Sequence, residues 1–289
     1  MAMNLSSTTL LKMLLESSGK KEELLSFLSE SNREDLEKIL LSPLPFNPQD
    51  FVYDSLLWEI HYSWFLPTLK SYSSKEASLF LSSLPTAYAE KIAPLLLTEP
   101  RTEKLSRPAK KFFRHILLSS LLGEEKEILP KNYLPPSPLN RLATLGKRGL
   151  LQLIDFLALY DLAHEMKKIV ATSILKRIDH CLTKNESQFL QSKLSIKELF
   201  TLPPLGLEKW DETKHSLRLM LHKRGLVRLA KALSIQHVHL VWYICHRLDI
   251  GRGNLLFRST TKKENPKIAA KIVSYIEEIL SLLKLNKEE

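Results

Sequence analysis

The sequence predicts an all-α protein, an armadillo-like, multi-helical repeat array in two helical regions. Three observations predict it. Leucine dominates the apolar residues, and these recur at spacings of three and four rather than two. Turn pairs of the Asn-Gly or Asp-Gly kind, which join adjacent strands, are missing. Glycine is scarce, with 8 in 289 residues, which argues against a sandwich or barrel rich in tight turns. Hydrophobic residues make up 44% of the chain, enough to build a core, so wholesale disorder is excluded.

The elements follow in order. Ser7, Thr8 or Thr9 is expected to cap a first helix running through Glu16 and ending near Gly19. "KKEELLSFLSESNREDLEKILLS" predicts two short amphipathic helices. Asn32 is the expected cap of the second, and Asp35 lies in its first turn, where the helix dipole favours a carboxylate. Pro43, Pro45 and Pro48 break the chain. Phe51, Trp58, Tyr62 and Phe65 are spaced by seven, four and three residues, which predicts one face of a buried aromatic helix. "SSKEASLFLSSLPTAYAEKIAPLLL" predicts a helix pair joined by a Leu-Pro turn. Ser74 is the expected cap, Ala77, Phe80, Leu81 and Leu84 form the first apolar ridge, and Ala89, Ile92, Ala93 and Leu96 form the second. A basic helix over Lys110–Leu122 is expected to stop at Gly123.

"LPKNYLPPSPLN" then predicts a stiff, extended connector. It divides an acidic region, residues 1–128, from a basic repeat region, residues 139–289, with 129–138 as the linker. The charge changes sign along the chain. Residues 1–100 hold 8 Lys and Arg against 13 Asp and Glu, a balance of −5, while residues 101–289 hold 34 against 19, a balance of +15. Such a dipolar chain attracts acidic partners toward one end.

The basic region contains one phrase twice. "GKRGLLQLIDFLA" and "HKRGLVRLAKALS" align at an offset of 76 residues, Lys147 with Lys223, and Leu145, Leu153 and Leu157 fall on Leu221, Leu229 and Leu233. Both Lys-Arg pairs are expected in a loop or first helical turn. Gly149 and Gly225 are expected at close inter-helix contacts, which leaves the cations as an exposed basic edge. Pro203 and Pro204 end the first copy. Asn265 caps the last helix, Pro266 takes its first turn, and Ile268, Ile272, Ile276, Ile279 and Leu283 form its stripe.

No Gly-rich phosphate loop, Gly-x-Ser-x-Gly elbow, His-Glu-x-x-His pair or Asp-rich metal loop occurs. The residues therefore predict no enzyme, with no catalytic group, cofactor or metal. "HVHLVWYICHRLD" gathers His237, His239, Cys245, His246 and Asp249. His237 and Cys245 are rotated away from the face shared by His239 and His246, and no Cys-x-x-Cys supplies a second ligand pair. A structural helix is the better reading, with its histidines partly exposed and Trp242 and Ile244 packed. In "HRLDIGRGNLLFRSTTKK", Gly251 and Gly253 could shape an anion-binding turn beside Arg252, Arg258, Lys262 and Lys263. The alternative favoured here makes Gly251 a helix C-cap, with Asp249 pairing locally with Arg247 or Arg252.

Two cysteines in apolar helical stretches, Cys181 and Cys245, fit a reducing compartment. The first residues lack a basic n-region and a signal-length apolar run, and no apolar stretch approaches the roughly 20 residues that span a bilayer. A cytoplasmic protein is expected, reaching a membrane only through partners.

The phrase carrying Glu76, Ala77, Phe80, Leu81, Leu84, Pro85, Ala89 and Ile92 resembles the helical repeat of the flagellar motor-switch protein FliG. There a Leu-Pro turn separates an apolar helix from an Ala-rich one. A leucine-rich, non-enzymatic helical protein with such a repeat is similar to the K-component (SctK) adaptors of type III secretion sorting platforms. That resemblance implies a scaffold linking the inner-membrane ring to the pods below. Its partners would be the cytoplasmic domain of the ring and the pod protein that sorts cargo. The residues expected to meet a partner are Lys147, Arg148, Lys223, Arg224, Arg228, Arg252 and Arg258. A basic helical-repeat nucleic-acid binder and a chaperone or regulator of secreted cargo are the alternatives.

Overall fold

In the computed structural model every element among the described residues is helical, either α or 3-10, and none is a strand. The structure describes residues 5–18, 20–39, 53–96, 103–122, 128–195, 203–207, 210–262 and 264–288. The expectations for Gly19, Pro43, Pro45, Pro48, Phe51, Gly123 and Lys263 fall outside these residues. The chain folds as two units. The first comprises residues 1–143 with His237–Ile250, and the second comprises Thr144–Gln236 with Gly251–Glu289. The expected division at 129–138 follows the chain, whereas the first unit also takes in the distant segment His237–Ile250. The helix containing "HVHLVWYICHR" belongs with the first.

The first unit starts with α1 (Leu5–Ser17), α2 (Lys21–Ser26) and α3 (Glu30–Glu37). Thr8 and Thr9 are buried inside α1 rather than capping it. Ser29, not Asn32, caps α3: its hydroxyl accepts the amide of Asn32 at 3.4 Å, so the helix begins one turn earlier than expected. The aromatic stretch is not one helix. It forms two 3-10 segments, Tyr53–Trp58 and Tyr62–Phe65, before α4 (Leu66–Lys70). The break has a local cause, since the His61 imidazole accepts the Ser63 amide at 3.3 Å and caps a new turn. Phe65 is fully buried while Trp58 is 40% exposed, so these two aromatics do not share one buried face.

α5 (Ser74–Ser83) and α6 (Thr86–Ile92) form the expected pair, with extended backbone at Leu84 and Pro85 between them. Ser73 caps α5, one residue before the expected Ser74. It does so in a reciprocal capping box with Glu76, whose carboxylate accepts the Ser73 amide at 2.9 Å. These bonds hold the Glu76 carboxyl below the usual range. α7 (Arg107–Leu122) packs on α5 through an edge-to-face contact of Phe80 with Phe113, ring centroids 5.0 Å apart, and an Arg114 bond to the Ser83 carbonyl at 2.7 Å. The Pro-rich stretch is packed rather than a free connector. Two 3-10 turns, Lys131–Tyr133 and Pro138–Thr144, bury Leu129, Tyr133, Leu134 and Leu139. Prolines stiffen it, but large apolar side chains between them seek a core.

The second unit is built on α8 (Lys147–Met166), α9 (Thr172–Cys181), α10 (Lys184–Lys193), α11 (Lys214–Leu233), α13 (Ile250–Thr260) and α14 (Pro266–Glu288). α12 (Val238–Arg247) lies in the first unit. α8 and α11 are 20 residues each and lie side by side in parallel. Asp155 meets His222 and Asp161 meets Arg228, both pairs 67 residues apart. Lys147 and Lys214, which start the two helices, are separated by the same 67 residues. Parallel equivalent helices at fixed spacing are the logic of a helical array. The repeated phrase, at 76 residues, is therefore out of structural register. Lys147-Arg148-Gly149 opens α8, but Lys223-Arg224-Gly225 lies in the middle of α11, not in a loop or first turn. Thr213 sets the start of α11 well before the repeated phrase, since its hydroxyl accepts the Ser216 amide at 3.2 Å and caps the helix.

The two glycines then diverge. A Cβ on Gly225 would sit 1.8 Å from the Ile154 carbonyl oxygen of α8, so only glycine permits this approach. A Cβ on Gly149 would meet nothing closer than Leu145 at 3.7 Å, an ordinary contact. α14 runs antiparallel to α8. Tyr275, in its first half, stacks on Tyr160, late in α8, at 3.9 Å, while Leu283, closer to its end, borders the same cleft as Arg148, early in α8. Asn265 caps α14 as expected, accepting the Lys267 amide at 2.9 Å, and Ile272, Ile276 and Ile279 are fully buried.

Candidate protein-docking surface

α11 has three kinds of face, and they sort the seven expected partner residues. Its inward face buries Leu217, Leu221, Gly225 and Leu229, and it also buries Arg228 completely. Arg228 therefore has no place on an exposed edge. Its guanidinium donates to both oxygens of Asp161 at 2.8 and 2.7 Å and lies over the rings of Tyr160 and Tyr275. Burying a charge is costly unless it is paired and hydrogen-bonded, and this fork-to-fork geometry supplies both. Nearby, the Tyr160 hydroxyl donates to Glu278 at 2.6 Å, and Lys193 pairs with the same carboxylate. Burial and that acceptor push the Tyr160 phenol well above its ordinary pKa.

The flank of α11 is committed to the fold. Arg224 donates to the carbonyls of Pro203 and Pro204 at 2.5 and 3.1 Å, tying that segment to the helix, and its Nε lies 3.8 Å from Asp161. His222 bonds Asp155 through Nδ1 at 2.8 Å and accepts the Nε–H of Arg252, on α13, through Nε2 at 2.8 Å. Arginine can only donate, so the imidazole proton sits on Nδ1 and points at Asp155. Arg218 reaches both Glu186 oxygens at 2.5 and 2.6 Å and the Cys181 carbonyl at 3.1 Å. Burial pushes the Glu186 carboxyl up, but Arg218 and the Thr183 cap more than offset it, and the net shift is downward.

The outward face of α11 is a stripe at four-residue spacing. Leu219 is 47% exposed, Lys223 is exposed and Val227 is 37% exposed, with Ile235 exposed just beyond the helix. On α13, Leu255, Phe257 and Arg258 are also exposed. At the start of α8, Lys147 is half-buried and Arg148 is exposed. Of the expected basic edge, Arg148, Lys223 and Arg258 are exposed, on α8, α11 and α13, while Arg224, Arg228 and Arg252 are engaged inside the unit. The apolar members of the stripe were missed from the sequence, although the spacing of Leu219, Lys223 and Val227 was there to be read.

The histidine-rich helix of the first unit is interior. His239 and His246 are 3% and 8% exposed, not partly exposed as expected. The His239 Nδ1 accepts the Leu129 amide at 2.9 Å. The His246 ring lies between Trp64 and Trp242, at 4.1 and 3.9 Å, and its Nδ1 donates to the Trp242 carbonyl at 2.9 Å. Burial lowers both imidazoles to about 4 and pushes the Cys245 thiol up to about 12. Arg247 donates to Glu59 and to the Ala143 carbonyl, at 2.5 and 3.0 Å. Gly251 is not a C-cap; it lies in the first turn of α13, and Leu248 caps α12. Among the described residues no group of three or more His, Cys, Asp and Glu side chains is placed to hold a metal ion, and no helix is long and apolar enough to cross a membrane.

Comparison with protein-family models, with curated proteins and with solved structures finds no match to this chain.

Proposed function

We propose that the chain is a non-enzymatic adaptor that binds other proteins through its second unit. The observation that carries this reading is the α11 stripe, where the exposed Lys223 stands between the exposed aliphatic side chains Leu219 and Val227. A lone cation framed by apolar surface suits a protein partner, which covers both at once. Tracking phosphates calls for several cations along one path, and Arg224, Arg228 and Arg252 are spent on internal bonds. The α5–α6 pair with its Leu84-Pro85 turn supports the finer placement, a cytoplasmic component of a type III secretion or flagellar-type apparatus. In that setting the chain links the inner-membrane ring to the sorting platform. It contacts the ring's cytoplasmic domain and the pod protein, and reaches the membrane only through them.

Lys223→Glu tests the reading. The residue is exposed on a helix surface, so the unfolding free energy is expected to stay within about 0.5 kcal/mol of the parent. Co-purification of ring or pod components from cells is expected to fall. Undiminished capture contradicts the proposal. Steep, salt-dependent binding of duplex or single strands that weakens in the variant favours the nucleic-acid alternative. Arg224 is left unchanged in this experiment, because a carboxylate there would face Asp161 and release the Pro203 and Pro204 carbonyls.

A further inference from the structure

A cleft of about 870 Å³ opens in the second unit among the start of α8, the start of α10 and the end of α14. Arg148 and Lys184 border it and are exposed, the side-chain amides of Gln152 and Asn185 line it, and the buried Phe156 and half-buried Leu283 supply apolar surface. Two carboxylates also line the cleft, and each is already bonded from another element. Asp155 takes the His222 N–H at 2.8 Å, with Arg252 bonded to the far side of that imidazole. Glu186 takes the Arg218 fork at 2.5 and 2.6 Å and the Thr183 amide and hydroxyl at 2.7 and 2.8 Å. The lining thus holds two cations and two carboxylates, and while both carboxylates are hydrogen-bonded from behind, Arg148 and Lys184 stand at the opening with no ion pair among the described residues.

We propose that this cleft is a docking groove for a short acidic segment of a partner protein, distinct from the α11 stripe. Arg148 and Lys184 would take its carboxylates, Arg148 in the planar two-point geometry that guanidinium favours. Gln152 and Asn185 each offer a donor and an acceptor, the pairing an extended main chain needs. Phe156 and Leu283 would cover one apolar side chain between the acids. The size falls among pockets that enclose a few residues' worth of ligand. The choice of a protein occupant rests on the adaptor reading; the preference for an anion rests on the cleft alone.

The test is selection from a random peptide display library against the full chain, repeated against the Arg148→Glu, Lys184→Glu double variant. Both residues are exposed, so the variant is expected to keep its helicity and melting temperature. Selected peptides are expected to combine Asp or Glu with Leu or Phe, and to lose about tenfold or more in affinity for the variant, as expected when two charge-assisted contacts are reversed. Lys223→Glu is expected to leave their binding unchanged. Enrichment of basic or neutral peptides, no enrichment, or equal binding by the double variant overturns the groove. A groove that fails while Lys223→Glu still reduces ring or pod capture leaves the adaptor reading standing. Inorganic phosphate and oligodeoxythymidylate run alongside, and if either displaces the selected peptides at equimolar concentration, the site is a phosphate site and the proposal is wrong.

Discussion

α12 in the first unit and α11 in the second are held by opposite chemistry. α12 is anchored largely by neutral groups: His239 accepts an amide, Tyr243 donates to the Leu129 carbonyl at 2.8 Å, and His246 is stacked between two indoles. α11 is anchored by ion pairs on its inner face and flank, Arg218 with Glu186 and Arg228 with Asp161. Neutral anchors give no Coulomb attraction, but they cost little to bury until a proton arrives. Ionic anchors are expensive to bury, yet they fix register, because a fork matches a carboxylate in few positions. The 67-residue register of α8 on α11 is written in the Asp161–Arg228 and Asp155–His222 pairs. The two units should therefore fail under different insults.

The largest expected effect is on the second unit. Asp161→Ala strands the Arg228 guanidinium in the core and is expected to cost about 3–5 kcal/mol. Hydrogen exchange should show the loss first in α8, α11 and α14. If exchange rises equally in α12, the two units do not differ as claimed.

Acid should act the other way round. A histidine held near 4 in the fold but near 6.5 when unfolded is neutral in the native state, so its contribution is complete above about pH 6.5 and lost as pH falls toward about 4. At about pH 5 each of His239 and His246 is expected to cost about 2 kcal/mol. The Glu186 carboxyl is shifted downward, so its contribution persists over that interval and fades only below the ordinary carboxylate range. Protection in α12, taken relative to the intrinsic exchange rate at each pH, should therefore fall between about pH 8 and about pH 5 while that of α11 holds. Equal loss in both helices breaks the contrast.

The two glycines sharpen the comparison within the second unit. Gly225→Val drives a branched side chain into the Ile154 carbonyl and is expected to cost about 3 kcal/mol or more in thermal unfolding. Gly149→Ala, with room for its Cβ, is expected to be neutral or to stabilise by about 0.5–1 kcal/mol. Matching penalties at the two positions would restore the symmetric role that the repeated phrase suggests.

Much of the fold was legible in local pattern. The Ala77, Phe80 and Leu81 ridge, the Leu84-Pro85 turn and the Asn265-Pro266 start of α14 depend on neighbours within a few residues, which periodicity and capping report. What was hidden depends on partners far along the chain. Arg228 looks like a surface cation until Asp161, 67 residues away, is seen against it. The burial of His239 depends on Leu129, 110 residues before it. The aromatic run broke into 3-10 turns because His61 caps locally, a competition that spacing alone does not reveal. For the surface, the charge of Lys223 was visible, while the exposure of Leu219 and Val227 beside it was not. Apolar residues at four-residue spacing read as core until packing shows which face is taken.

The adaptor reading stands on what touches α11 at the middle of that stripe. The direct measurement is in-cell photo-cross-linking with p-benzoylphenylalanine placed at Lys223. The expected result is a covalent adduct with the inner-ring cytoplasmic domain or the pod protein, lost when Val227→Asp disrupts the stripe. Adducts to nucleic acid alone, or none while the same probe at Arg258 does cross-link to ring or pod protein, would contradict it.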